Sequence, residues 1–447
     1  MVDRHVPQRN GARRALVVSA VDPYPTDAGK KVVLAGLLAH LADRLGPDNV
    51  HYGLVGRPED VPETFPVRLH PLRRPSTREQ LKSVVTRVPT GRSSLQEALL
   101  RGQAVAAGVR AVVDEVDPDL VVLDTVRFAQ YLAQVPARPG RRVVCYLDDL
   151  FSERYAGMLA ARRRFADVRI EPLGNFGALV PARLRPLAEW GPTQKLLLAA
   201  EQRLVARSER RAAAAFDRCL LVNANEAGLL AGRVPGSTVL AVPPLVRPAG
   251  RARTELPTGP HFVMLGLLSL AHNEDGLVWF LREVLPRLRE REPGATLTVV
   301  GRGAGTRVTE LAAAAGDAVR LMGWVDDLDE LLCRSAALVN PLRFGSGIKL
   351  KVLEALARGL PVVSTPVGAD GIEAGPGTGI TVADTPDAFA AAMVELTAPE
   401  RAEAAGREAS EHYRRTYARE AVFARYDEAL GPFSADLGVP APERSAR

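Results

Sequence analysis

The residues best suited to chemistry lie between 341 and 372, where the chain reads PLRFGSGIKLKVLEALARGLPVVSTPVGADGI. An apolar run ends at Leu342, and a glycine-rich turn follows at Phe344, Gly345, Ser346 and Gly347. Periodic apolar residues then predict a helix from about Gly347 to Arg358. Gly359 suits the C′ position and Pro361 follows, so the helix stops there. Glycines at a strand-to-helix turn let a ligand approach the backbone. The free N–H groups and the helix dipole then favour an anion such as a diphosphate. On a helical wheel Ile348, Val352, Ala355 and Leu356 share one face, and Lys351, Glu354 and Arg358 share another. Glu354 is spaced to pair with both Lys351 and Arg358, which is the pattern of a solvated face. Lys349 does not fit that pattern, because a cation in the first turn opposes the dipole. A bound anion would resolve the conflict. Local physics leaves a diphosphate site and a plain amphipathic helix both open, and because the position is unfavourable without a ligand, removing Lys349 is expected to leave the free fold as stable as before or slightly more stable.

Weaker candidates lie elsewhere. VVGRGAG follows an apolar run, but its glycines are spaced G-x-G-x-G rather than G-x-G-x-x-G, so it reads as a tight turn. In the first half, PYPTDAGKK places Asp27, Gly29 and Lys30 at a loop-to-helix junction, where Asp27 also suits an N-cap. Asp148 and Asp149 end another apolar run. Adjacent carboxylates there can accept a proton or a ligand hydroxyl, or cap a helix that begins near Phe151.

The elements that must hold these residues alternate between short β-branched runs and longer amphipathic ones. Strand candidates begin at Ala15, Tyr52, Leu120, Val143 and Cys219, then at Phe262, Thr296, Val319, Ala337 and Pro361. Helical patterns such as 30–44 and 273–291 lie between them. Apolar runs of this length, bounded by Gly, Pro and Asp, suit buried parallel strands, and the alternation predicts doubly wound α/β sheets. The pattern restarts after a Pro-, Gly- and Arg-rich stretch. The expected organisation is an N-terminal Rossmann-like domain over 1–241, a linker over 242–260 and a C-terminal Rossmann-like domain over 261–398. Residues 151–211 read as an Arg-rich helical excursion from the first domain. Residues 399–432 read as terminal helices that cross back to the N-terminal domain, and 433–447 as a frayed tail. Ligands bind outside the carboxyl ends of such strands, so a cleft between two facing domains is the expected active site.

Bulk properties set limits. The chain has 447 residues, 47% apolar and 25% charged, with a net charge of +6. That is a globular composition with a mild basic bias, which does not call for nucleic acid. Cys145, Cys219 and Cys333 stand far apart in sequence, and the seven histidines form no HExxH. No disulfide framework, metal or other bound cofactor is expected. The apolar run that begins at Ala15 is stopped by Asp22 and Pro23, so neither an export signal nor a membrane span is expected, and the expected location is the cytoplasm.

The segment from Gly345 to Lys349, followed by Lys351 and then Leu353, Glu354 and Ala355, resembles the nucleotide-sugar motif of the retaining glycosyltransferase family four. YLDDLFSERY, a helix carrying Glu209 and the helix ending REVLPRLR extend the likeness more weakly. The resemblance implies a GT-B fold and transfer of a sugar from a nucleotide-diphosphate-sugar donor, with retention and without a metal ion. By the same resemblance Glu354 binds the donor ribose, and Gly345, Ser346, Gly347 and Ile348 line the donor site. Gly266 ends the first strand of the second domain, and MGWVDDL, with Trp324 and Val325, lies at the base-recognition loop; for Trp324 ordinary packing is the favoured alternative. The loop carrying Asp27, Gly29 and Lys30 would face the cleft.

Two departures matter. Family members often carry a second glutamate separated from the one at Glu354 by seven intervening residues, and Ser346 stands at that position instead. The frequent Gly-Arg after the first strand of the second domain is replaced by Gly266 and Leu267. Arg343 and Lys349 are the candidates to supply the missing charge, with Asp148 and Asp149 on the acceptor side. The expected partners are the donor and a sugar, lipid-linked or small-molecule acceptor, with weak peripheral membrane contact through the Arg-rich stretch. The rival readings are a nucleotide-sugar epimerase of the same architecture and a non-catalytic nucleotide-sugar-binding protein.

Overall fold

A computed structural model describes residues 13–56, 62, 64–164, 191–246 and 259–431. The central part of the expected linker, the middle of the Arg-rich stretch 151–211 and the tail 433–447 lie outside the described residues.

The chain divides into two compact units. Unit 1 comprises Met1–Leu150, Arg203–Pro244 and Val422–Arg447; unit 2 comprises Phe151–Gln202 and Leu245–Ala421. Residues 151–202 therefore group with the second unit, whereas the sequence reading attached the whole of 151–211 to the first.

In unit 1 the elements run β1 (Ala15–Ser19), α1 (Gly29–Leu45), β2 (Val50–Gly56), β3 (Arg68–Arg73), α2 (Thr77–Arg87), α3 (Leu95–Leu100), α4 (Gln103–Val116), β4 (Leu120–Asp124), α5 (Thr125–Ala129) and β5 (Arg142–Asp148). The chain then enters unit 2 through α6 (Phe151–Arg164) and leaves it along α7 (Gly191–Ala215), whose last turns belong to unit 1. Unit 1 continues with β6 (Arg218–Leu221), α8 (Ala224–Arg233) and β7 (Val239–Ala241). Its seven strands are all parallel, in the order β3-β2-β1-β4-β5-β6-β7. The central strands are buried along their whole length, which is why they read as continuous apolar runs.

Unit 2 resumes with β8 (His261–Leu265) and α9 (Ala271–Trp279), which passes through a π-helical turn at Phe280–Val284 into α10 (Leu285–Arg291). Next come β9 (Thr296–Val300), α11 (Thr306–Ala315), β10 (Val319–Gly323), α12 (Asp329–Arg334), β11 (Ala337–Asn340), α13 (Leu350–Ala357), β12 (Val362–Ser364) and β13 (Ile380–Val382). The unit closes with α14 (Pro386–Glu395), α15 (Pro399–Thr416) and the start of α16 (Arg419–Leu430). Its six strands are also all parallel, in the order β10-β9-β8-β11-β12-β13. One face of this sheet packs on Phe280, Leu288, Phe389 and Met393, the other on Val352, Leu356 and Tyr413.

Both units are therefore Rossmann-like α/β sheets. From Val422 onwards α16 belongs to unit 1, whereas α15 stays in unit 2. Of the two terminal helices expected to cross back, only α16 does. The three cysteines are buried and form no disulfide. No helix among the described residues is long and apolar enough to cross a membrane.

Candidate active site

The sequence-predicted residues fall into two clusters, one in each unit. Asp27, Gly29, Lys30, Asp148 and Asp149 lie in unit 1. Gly266, Trp324, Val325, Arg343, Gly345, Ser346, Gly347, Ile348, Lys349 and Glu354 lie in unit 2.

In unit 2, β11 ends at Asn340, whose side-chain amide donates to Ser364 Oγ (3.2 Å) and to the Gly368 carbonyl (2.9 Å). This ties the start of the loop to the next strand. The glycine turn then forces the backbone out of helical space: Gly345 has φ 143° and Gly347 φ 68°. For that reason α13 begins at Leu350 rather than near Gly347, and Lys349 is the N-cap residue rather than part of the first turn. The Lys349 ammonium folds back and donates to the carbonyls of Ser346 (3.0 Å) and Gly347 (2.6 Å). Removing it therefore breaks two charge-assisted bonds, and stability is not left flat as the sequence suggested. At the far end Gly359, φ 70°, takes the C′ position as expected.

Arg343 departs from expectation. It makes a two-pronged ion pair with Asp275 of α9, with Nε to Oδ2 at 2.9 Å, and both side chains are largely buried. Its charge is used to fix the loop to α9. Gly276 permits that approach, because a Cβ there would lie 2.7 Å from the Pro341 carbonyl. Phe344 packs against Met158, Ala161 and Ala271 and meets the edge of His272. Ser346 accepts a hydrogen bond from Arg154 Nε of α6 (2.8 Å), which brings a guanidinium to the position where the family often has a carboxylate.

Lys351, Glu354 and Arg358 do not form a solvated face; all three are partly buried. Lys351 donates to the Leu265 carbonyl (3.0 Å) and to Asn273 Oδ1 (3.1 Å). Burial, and then the Lys349 ammonium, push its pKa down to about 7. Arg358 pairs with Asp329 (2.7 Å), not with Glu354. The Glu354 carboxylate makes no hydrogen bond or ion pair among the described residues. Burial raises its pKa, and Arg358 only partly offsets this. His272 is pushed down to about 4 by burial and then by Lys351, Lys349 and Arg154, so it is neutral near pH 7. Its depressed pKa reflects burial first and only then the cations Lys351, Lys349 and Arg154 close to the loop.

Gly266 sits where a Cβ would meet the Asn273 side chain at 2.9 Å, so the β8 end and the α9 start are in close contact. Trp324 is not ordinary packing. It is 60% exposed, with Arg302 over its ring at 4.8 Å and its indole N–H donating to Asp326 (2.7 Å). Val325 packs against the core beside α13. The glycines after β9 form the expected tight turn, with Gly303 at φ 83° and no room for a Cβ against Ser269.

In unit 1 the carboxyl edge of the sheet gathers Lys30 with three carboxylates. Lys30 Nζ lies 2.5 Å from Asp124 Oδ1 and 3.6 Å from Asp148 Oδ2. Burial opposes the Lys30 charge, but Asp124, Asp148 and Asp149 outweigh it and hold the pKa above its usual value. Asp124 also accepts from Ser19 Oγ (2.6 Å). Asp148 has φ 73° at a register shift in β5, and Thr125 has φ 62° at the end of β4. Such conformations are costly for non-glycine residues and cluster at functional sites. Asp27 does not cap α1: Ala28 holds that position, and Asp27 pairs with Lys31 at 2.9 Å.

Sequence reasoning missed Arg154, His272, Asn273, Asp275 and Asp124 as site residues, and gave Lys351 no role beyond pairing on a helix face and a place in the motif. One signal was available. The run His272, Asn273, Glu274 and Asp275 is polar at the head of a helix whose remainder is apolar. Nothing local marks Arg154 among the many arginines of 151–211.

Residues 259–398 match the family model of the glycosyl transferases group 1. An uncharacterised 44.6 kDa protein of the cps region of Klebsiella pneumoniae is 29% identical over 141 residues, which span 30% of this chain and 36% of that protein. Among solved structures, sucrose-phosphate synthase from Thermosynechococcus elongatus is 16% identical with a TM-score of 0.63, over 95% of this chain and 99% of that one. Anabaena HepE, solved with UDP and glucose, is 14% identical with a TM-score of 0.54, over 94% and 99%. The fold is thus α/β of the GT-B type, with two Rossmann-like units.

Proposed function

We propose that this chain is a glycosyltransferase that moves a sugar from a nucleotide-diphosphate-sugar donor, with retention and without a metal ion, to a sugar, lipid-linked or small-molecule acceptor. The observation that carries the reading is the arrangement around the glycine loop. Lys349 and Arg154 bond Ser346 and Gly347 of the loop, and Glu354, a partly buried carboxylate with no hydrogen-bond partner among the described residues, lies just beyond, within the segment that matches the group 1 transferases.

Glu354 would accept the donor ribose hydroxyls. Lys349 and the loop amides would hold the diphosphate, with Arg154 and Lys351 adding charge and Arg343 holding the loop through Asp275. Positive charge preorganised in this way stabilises a departing diphosphate while the sugar gains oxocarbenium character. The exposed Trp324, with Val325, is the candidate surface for the base, and Gly266 keeps the approach from β8 open. Asp148 and Asp149, beside Lys30 on the edge of unit 1, are the candidates to act on the acceptor. The loop with Asp27 and Gly29 borders the same edge. A cytoplasmic enzyme with weak membrane contact through 151–211 fits an envelope or glycoconjugate acceptor.

HepE was solved with UDP and glucose, which makes UDP-sugars the first donors to test. A panel of nucleoside diphosphates and their sugars is screened by thermal shift, and the best donor, labelled in its sugar, is then followed with and without acceptor extracts. One nucleotide should raise the melting temperature, and label should pass to a product or, slowly, to water. A flat panel with no release of label overturns the reading.

A further inference from the structure

Unit 1 contains a second concentration of positive charge that shares no residue with either cluster above. Arg87 of α2, Arg92, Arg101 and Arg211 of α7 line a cavity of about 240 Å³, with Glu97 and Phe216 among the other lining residues. Four arginines thus line one cavity with a single carboxylate, and that carboxylate is already occupied. Glu97 Oε2 accepts from the Ser94 N–H (2.8 Å), from Ser94 Oγ (2.9 Å) and from Ser208 Oγ (2.7 Å), as part of the capping box of α3. Of the four arginines, Arg211 is the one at ion-pair distance from it, at 3.7 Å.

The arginines otherwise meet neutral acceptors. Arg87 donates to Ser93 Oγ (3.1 Å), Arg101 to Gln130 Oε1 (3.1 Å) and Arg211 to Ser208 Oγ (2.8 Å). The Arg92 backbone N–H donates to the Arg87 carbonyl (3.0 Å), but its guanidinium has no hydrogen bond or ion pair among the described residues. Another arginine pair of unit 1, Arg138 and Arg141, is by contrast matched by the carboxylates of Asp117 and Asp119. Burial, and then repulsion from Arg101 and Arg92, lower the Arg87 pKa, so this cluster is held together at a cost in the free protein.

We propose that this cavity is a binding site for a doubly charged phosphate group, a phosphomonoester or diphosphate, distinct from the donor site. Planar guanidinium forks match phosphate oxygens two at a time. The volume falls below the roughly 300–1,000 Å³ of pockets for drug-sized ligands, which suits a small phosphorylated molecule or a single headgroup. The site stands whether or not the transferase reading holds.

The test uses the full chain and inorganic pyrophosphate, with sodium chloride at matched ionic strength as the control, and reads amide hydrogen exchange peptide by peptide. Pyrophosphate should slow exchange in the segments around 92–101 and 208–216, about tenfold at ten times its dissociation constant. Arg87→Gln combined with Arg101→Gln should abolish that protection without lowering the melting temperature of the free protein. Lys349→Ala should keep it. A second arm uses vesicles containing phosphatidate. Protection by pyrophosphate alone supports the site with a soluble ligand, and protection by both supports it with a lipid headgroup. Protection by vesicles alone, by neither probe, or equally by chloride overturns the proposal. So does protection that vanishes in Lys349→Ala, since the effect would then be relayed from the donor loop. If the double variant fails to fold, Arg101→Gln alone is read in the same way.

Discussion

Glu354 and Lys351 sit one helical turn apart and answer to different measurements. A carboxylate that meets no partner among the described residues gains most from a ligand, and a charge-assisted bond to a ribose hydroxyl is worth roughly 1.5–3 kcal/mol. Glu354→Gln should therefore weaken donor binding by at least about tenfold while the melting temperature barely moves. Titration calorimetry with the best nucleotide checks this, and unchanged affinity removes Glu354 from the ribose. Lys351 is read by pH. Its folded pKa is about 7, against about 10.4 in an unfolded chain. Between those values the unfolded chain keeps a proton that the folded chain has released, so stability rises with pH across the window and is flat below it. Lys351→Met should remove that rise, measured as melting temperature from about pH 7 to 10. Parallel curves for wild type and variant would mean that Lys351 stays protonated in the fold.

At the scale of elements, the close approach of α9 to the loop after β11 is what sets Asp275 against Arg343. Gly276→Ala pits two effects against each other. Alanine improves an isolated helix by about 1 kcal/mol. Its Cβ, however, would sit 2.7 Å from a backbone carbonyl, which cannot yield as a side-chain tip would. Overpacking of this kind costs about 1–3 kcal/mol, so the variant should lose stability and donor affinity together. Gly228→Ala in α8 is the control, because a Cβ there meets nothing within 4 Å and the variant should be as stable or slightly more so. Thermal melts of both variants decide, and a stabilised Gly276→Ala would mean that α9 shifts freely.

The same elements show how far the sequence could be read. The central strands were legible because both faces are buried and the apolar runs are unbroken. β3 was not, since it is an edge strand that contains Pro71 and exposes half its residues. β7 and β13 are edge strands of three residues each, too short for any period to show. Glycine and proline punctuation marked the end of α13 but misplaced its start. Helix propensity cannot register that Gly345 and Gly347 take positive φ. The ion pair between residues 275 and 343, and the contact of Arg154 with Ser346, join positions far apart in sequence and leave no local trace.

On the scale of the whole chain, unit 1 is assembled from three separated segments, and α16 is the last of them. That helix places Tyr426, which is fully buried, against His40 in a stacked contact and beside the Tyr146 hydroxyl at 3.1 Å. Asp427 next to it bonds His40 at 2.8 Å and pairs with Arg44 at 2.9 Å. The core of unit 1 thus depends on residues more than 270 positions beyond β5. Tyr426→Ala should leave a cavity and strand the Tyr146 hydroxyl, at a cost of about 3–5 kcal/mol for loss of a large aromatic. Every donor-binding residue proposed above belongs to unit 2, so the affinity for nucleotide in the surviving folded protein should stay within about twofold. Calorimetric melting together with nucleotide titration separates the two quantities. A variant that melts normally would show that α16 contributes little to the fold of unit 1, whereas one that melts early and also loses nucleotide affinity would place part of the donor site in unit 1.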